Sequence, residues 1–213
     1  MAASGRNGAA ERLTRPDKGV EHIPDSWSPD SQTLSFTEAK NNSTEVWTYS
    51  LRDRKASVFA ATRGASLSNS VFSSDGHWVA YQLSAQPNSR VYLRPFPRTE
   101  TEFVAPVDAD THHPLWSPDG KELFYVAGPS LAGSMSVSVQ PNVRFGSPVR
   151  APRSGFITAV PASVRTYDIL PDGQRFLGVA PAAMSQTVGS AGRAQIQVVL
   201  NWFTELQQRV PAK

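Results

Sequence analysis

The chain contains no cysteine. Disulfides and thiolate metal sites are therefore excluded, and the redox compartment is left open. No apolar run approaches the roughly 18 residues that a membrane-crossing helix needs. The opening stretch MAASGRNGAAERL carries no apolar signal core behind its basic residues. As written, the chain is expected to be cytoplasmic and without a membrane span. Runs of like charge are missing as well. Net charge is +3 and the basic residues stand singly, which describes a solvated surface rather than a nucleic-acid footprint. Sustained 3.6-residue apolar periodicity is nearly absent. What the 213 residues do contain is 17 prolines and 14 glycines spread throughout. That composition predicts many short strands joined by many turns.

One phrase recurs four times. It stands as WSPDSQTLSFT from Trp27, FSSDGHWVAYQ from Phe72, WSPDGKELFYV from Trp116 and ILPDGQRFLGV from Ile169. Its aspartates, Asp30, Asp75, Asp119 and Asp172, are separated by 45, 44 and 53 residues. A period of roughly 40–45 residues is that of a four-stranded propeller blade. Four residues after each Asp stand Leu34, Val79, Leu123 and Phe176, and six residues after stand Phe36, Tyr81, Tyr125 and Gly178. A separation of two places each pair on one face of a strand. Val46, Val91 and Met135 enter a further strand at a common offset of sixteen. In the fourth unit that strand falls at Ile196, behind an insertion rich in Ala, Ser and Gly.

The phrase is a turn. Pro sets φ for the second position, Asp bonds nearby backbone N–H groups from the third, and Gly takes the left-handed conformation. This predicts a type I turn with a following Gly bulge between antiparallel strands. Trp27, Phe72, Trp116 and Ile169 each end an inner strand and are expected to pack between blades.

The expected fold is all-β: a β-propeller portion of about four blades of four-stranded antiparallel sheet, part of a larger ring, with a short C-terminal helix. Residues 1–19 form a tail in which Ala10–Thr14 reads as the outer strand of a preceding blade. The blades span 20–61, 65–104, 111–150 and 164–200. Residues 201–213 hold the helix, with Asn201 as its cap and Trp202, Leu206 and Val210 on one side. Stacked blades leave apolar faces at the ends of an open arc. An open or loosely closed arc is expected, with self-association through the end blades.

The repeated phrase at this period resembles the WD-like repeats of TolB-type propellers. FSSDGHWVAYQ, VYLRPFP, WSPDGKELFYV, YDILPDGQRFL and QVVLNWFTEL resemble more closely the C-terminal propeller of bacterial eukaryotic-like serine/threonine protein kinases. The resemblance covers nearly the whole chain. It implies a non-catalytic domain, extracytoplasmic or periplasmic when it follows a kinase and a transmembrane helix. The kinase motifs themselves are absent, and four repeats fall short of the six or so blades of that family. A propeller fragment or short gene product is the expectation, and kinase activity does not carry over.

Three sets of side chains bear on chemistry. Ser28, Ser73 and Ser117 recur as hydroxyls, but a hydroxyl in a hairpin turn bonds its own turn, and no G-x-S-x-G elbow accompanies them. In VDADTHH, alternation places Asp108, Asp110 and His112 on one face, a weak candidate for a metal against a solvated loop. His113 points the other way. His22, Asp25, Ser70, His113, Arg165 and Tyr167 fall on inner strands, which line the channel of a propeller. They are the candidates for channel or rim binding. The expected function is recognition of a protein, peptide or small ligand, without catalysis and without a cofactor. The competing expectation is the accessory domain of a kinase or peptidase polypeptide, or a weak metal-binding propeller.

Overall fold

The computed structural model describes residues 2–3, 11–85, 88–107, 110–128, 131–150, 161 and 163–178. A short pair, β1 (Ala2–Ala3) and β2 (Glu11–Arg12), precedes the repeats. Three sheets follow. The first contains β3 (Val20–Trp27), β4 (Thr33–Lys40), β5 (Ser43–Ser50) and β6 (Lys55–Ala60), paired in chain order. The second contains β7 (Ser66–Phe72), β8 (Trp78–Ala85), β9 (Asn88–Pro95) and β10 (Phe103–Val104). The third contains β11 (Thr111–Trp116), β12 (Glu122–Ala127) and β13 (Leu131–Ser138), with an outer edge split between β14 (Arg144–Phe145) and β15 (Val149–Arg150). A hairpin of β16 (Tyr167–Ile169) and β17 (Phe176–Gly178) opens the fourth unit. All these pairings are antiparallel meanders, and no helix occurs among the described residues. The expected helix at 201–213 and the strand at Ile196 lie outside them. Glu11 in β2 pairs with Ala3 and accepts a hydrogen bond from Arg54.

Each middle sheet is buried on both faces. Along β8, Val79 and Tyr81 join Val46, Phe59 and Ala60 of the first blade, while Ala80 joins Leu115, Trp116 and Leu123 of the third. Successive strand residues point to opposite faces, so one strand serves two blade interfaces. Aromatic edges seal the joints. Phe59 meets Tyr81 at 6.2 Å, and Phe124 meets Phe176 at 5.0 Å, both near perpendicular. Val46, Val91 and Met135 are all essentially inaccessible in the third strands of their blades.

Phe72, Trp116 and Ile169 pack toward the preceding blade, as the repeat implied. Trp27 does not, and its side chain is 41% exposed. The reason is positional, since among the described residues only the short β1–β2 pair, and no four-stranded blade, precedes the first blade.

The four corners share one hydrogen-bond pattern. Ser31, Gly76, Gly120 and Gly173 donate to the carbonyl three residues back at 2.8–3.0 Å, and all have φ between 58° and 74°. The corners also stack between blades. A Cβ on Gly76 would lie 3.3 Å from Pro29, and one on Gly120 would lie 2.7 Å from Ser74 Oγ.

Candidate functional site

The inner strands β3, β7 and β11 each lose register once, between Pro24 and Ser26, between Ser68 and Val71, and between His112 and Leu115. These are β-bulges, and bulges re-aim side chains. The bulged residues are Asp25, Asn69–Ser70 and His113–Pro114. Asn69 and His113 occupy equivalent places in the repeat, and both are left-handed, at φ 55° and 53°. Asn and His tolerate that conformation better than most residues do.

The first bulge makes a joint. Asp25 Oδ2 accepts from Thr37 Oγ1 at 2.8 Å, Ser70 Oγ at 2.8 Å and Ser70 N at 3.2 Å. It thus ties the first blade to the second. Burial pushes its pKa up to about 6, against the opposing effect of the Ser70 and Thr37 bonds and of the Arg165 charge.

The other two bulges hold the segment that leads into β16. Asn69 Nδ2 donates to Ser163 O at 3.0 Å, and Asn69 Oδ1 accepts from Arg165 N at 2.9 Å. Gln82, wholly buried, donates to Pro161 O and accepts from His113 N and Asn69 Nδ2. Tyr167 donates to His113 O, and Arg165 Nη1 donates to Pro114 O at 3.3 Å. Burial raises the Tyr167 pKa, so the phenol stays a donor.

His112 and His113 are wholly buried, with their Nδ1 atoms 2.5 Å apart. Burial lowers both pKa values, that of His113 to about 4 with help from His112. The pair is therefore uncharged near neutral pH. His112 Nε2 donates to Gly128 O at 2.8 Å, so its Nδ1 is an acceptor and His113 Nδ1 must be the donor. His113 Nε2 is then an acceptor. Ser163 Oγ stands 3.3 Å away as its donor, but Ser163 O is closer, at 2.8 Å. That carbonyl already accepts from Asn69 Nδ2 at 3.0 Å.

A cavity of about 760 Å³ opens beside these joints, well within the range of small-ligand sites, roughly 300–1,000 Å³. Its lining includes Asp25, Asn69 and Ser163 together with the hairpin residues Asn42 and Asn88 and the loop residue Asp110. Asn41 and Asn42 are both left-handed, at φ 51° and 61°, and form a two-residue turn between Lys40 and Ser43. Thr44 Oγ1, in the same lining, is buried and has no hydrogen-bond partner.

Of the channel candidates, Asp25 and Ser70 meet in one joint, and His113, Arg165 and Tyr167 meet in another. His22 belongs to neither. Its ring lies 4.9 Å from Phe36 and bonds Thr14 Oγ1 at 2.9 Å and Glu38 at 3.1 Å. Asp108 lies outside the described residues. Asp110 Oδ1 accepts from Ser89 N at 2.7 Å at the cavity, whereas His112 is turned into the core toward Gly128. Among the described residues no three His, Asp or Glu side chains come together as a metal site.

Ser28, Ser73 and Ser117 are consumed by their turns. Each hydroxyl donates to the turn aspartate at 2.5–2.6 Å and accepts from the N–H five residues on at 2.9–3.0 Å. Each turn aspartate also accepts from the N–H two residues on. The Ser hydroxyls hold the Asp30 and Asp119 carboxyls below the usual range. Leu170 has no hydroxyl, and there Arg175 bonds Asp172 instead, through Nε at 2.7 Å.

The residues not foreseen are Asn69, Gln82, Asn42, Asn88 and Ser163. Gln82 carried a signal, as an amide inside the apolar run WVAYQL. Asn69 carried one too, because it stands where His113 stands in the next repeat. Nothing local marks Ser163.

No protein-family model matches the chain, and no curated protein matches it by sequence. Solved structures do match. TolB from Acinetobacter baumannii aligns with TM-score 0.53 and 18% identity over 68% of this chain and 35% of its own. A putative TolB from Agrobacterium tumefaciens aligns with TM-score 0.54 and 13% identity over 81% of this chain and 63% of its own. The chain thus spans less than two thirds of the length of either. At such identities the likeness concerns the fold, and the fold is that of a TolB-type β-propeller.

Proposed function

We propose that these blades form a non-catalytic recognition module that binds a peptide or small polar ligand in the cavity beside Asp25, Asn69 and Asp110. The observation that carries this reading is the cavity itself. Hairpins of adjacent blades converge on it, and rigid interblade bonds fix the side chains at its wall. The hydroxyls that would serve as nucleophiles are committed to turn geometry instead. Titrating peptide and metabolite mixtures while following the amide signals of Asn42 and Asn88 tests it. Saturable shifts confined to the cavity are expected, and a complete absence of shifts at millimolar ligand would refute the reading.

The same reading extends to setting. The order of the repeat phrases supports a propeller attached to a bacterial serine/threonine kinase or a TolB-like polypeptide, acting as its sensor. The DNA around the coding region tests this. An in-frame kinase domain followed by a membrane segment is expected, and its absence would restrict the reading to a TolB-like module.

A further inference from the structure

The cavity carries a charge preference that its fold does not need. From the described residues Asp25 receives three hydrogen bonds, each on Oδ2, and Asp110 receives one, on Oδ1. Among the described residues Asp25 Oδ1 and Asp110 Oδ2 accept no hydrogen bond, and both residues line the cavity. Every other polar side chain described in that lining is a neutral hydroxyl or amide, and no Lys, Arg or His is among them. Arg165 acts on Asp25 through space but has Nη1 on Pro114 O and is not part of the cavity lining. A carboxylate or phosphate entering here would meet two like charges with no donor of positive charge to offset them. An ammonium group would find a carboxylate oxygen on either of two lining residues, and the surrounding hydroxyls and amides would take the rest of the ligand. The volume is that of a small molecule rather than of a bare ion.

We propose that the cavity selects ligands bearing a primary ammonium group on a hydrogen-bonding body, with Asp25 and Asp110 as the carboxylates that receive it. This rests on the cavity being the binding site. Hydrogen bonds to charged groups are the stronger class, so losing one carboxylate is expected to weaken an ammonium ligand by roughly tenfold or more.

The test uses the full chain at pH 8, where Asp25 is ionised. The probes are the capped peptide Ala-Lys-Ala, its Nε-acetylated form and capped Ala-Glu-Ala. Glucosamine and N-acetylglucosamine repeat the charge comparison on a sugar and separate the two sources of the amine. Binding is read from the side-chain amide signals of Asn42 and Asn88. At least one ammonium probe should bind about tenfold tighter than its acetylated partner, and Asp25→Asn and Asp110→Asn should each abolish that preference. Both substitutions keep an acceptor for Ser70 and Ser89, so the joints survive. Equal or tighter binding of the acetylated or Glu probes overturns the charge preference while leaving the cavity reading intact. No cavity shift with any probe at about 10 mM overturns both.

Discussion

Ser31 occupies the corner position that Gly76, Gly120 and Gly173 occupy elsewhere, at φ 58°. A side chain there stores strain that glycine does not, so Ser31→Gly is expected to raise stability by about 1 kcal/mol in a denaturant titration. The reverse change should be harsher at Gly120. There φ is 71°, and a Cβ would stand 2.7 Å from Ser74 Oγ. Gly120→Ala should lower the thermal midpoint, and Ser74→Ala should recover part of the loss by removing the clashing oxygen. The turn serines give a sharper comparison. Ser117→Ala deletes the donor to Asp119 and the acceptor for Glu122 N together. A cost of about 1–2 kcal/mol is expected, with ligand binding unchanged. A loss of binding with no loss of stability would mean that the hydroxyl serves something beyond its corner.

Within the strands, the bulges set two titrating groups in opposition. Asp25 has a folded pKa of about 6, raised from 3.8. The folded state therefore binds its proton more readily than the unfolded chain, and stability gains as pH falls through 6 toward 3.8. His113 has a folded pKa of about 4, lowered from 6.5. Its contribution is present above 6.5 and is lost as pH falls toward 4. Each effect is about 3 kcal/mol at most, and over the shared window they oppose each other. Asp25→Asn should leave a protein stabilised at pH 8 whose stability then drops between pH 6.5 and 4. His113→Asn places the residue of the equivalent Asn69 at a compatible φ, and should leave one whose stability rises over pH 6 to 4. Thermal midpoints across pH 4–8 check both, and parallel profiles for the two variants would refute the assignment. The strands and corners behind this were legible because each blade repeats them in SPDG, in Leu34/Val79/Leu123 and in Val46/Val91/Met135. The bulges were not, since a register shift depends on what the next blade offers. For the same reason His112 was placed with Asp110 by simple alternation, while the fold turns it into the core.

At the scale of the whole molecule, the blades are joined in two distinct ways. Neighbours share apolar faces such as Phe59 of the first blade against Phe96 of the second at 6.1 Å, which follow from burying both sides of each sheet. The second blade also reaches past the third to the segment around Ser163, through Asn69 and Gln82. That longer reach is polar, directional and made to backbone atoms, so no pattern of apolar residues announces it. It also places Asn69 both at the cavity wall and on the tie that positions Ser163 and Val164 beside it. Asn69→Ala would remove the side-chain bonds that Asn69 makes to Ser163 O and Arg165 N, at a cost of about 1–3 kcal/mol. The effect should be local, because the first and third blades keep their apolar joints. In hydrogen exchange, Arg165 and the β16–β17 pair should exchange faster in the variant, while β4, β8 and β12 keep their protection. Global acceleration of exchange would show instead that the cross-blade tie is part of the core's cooperative unit.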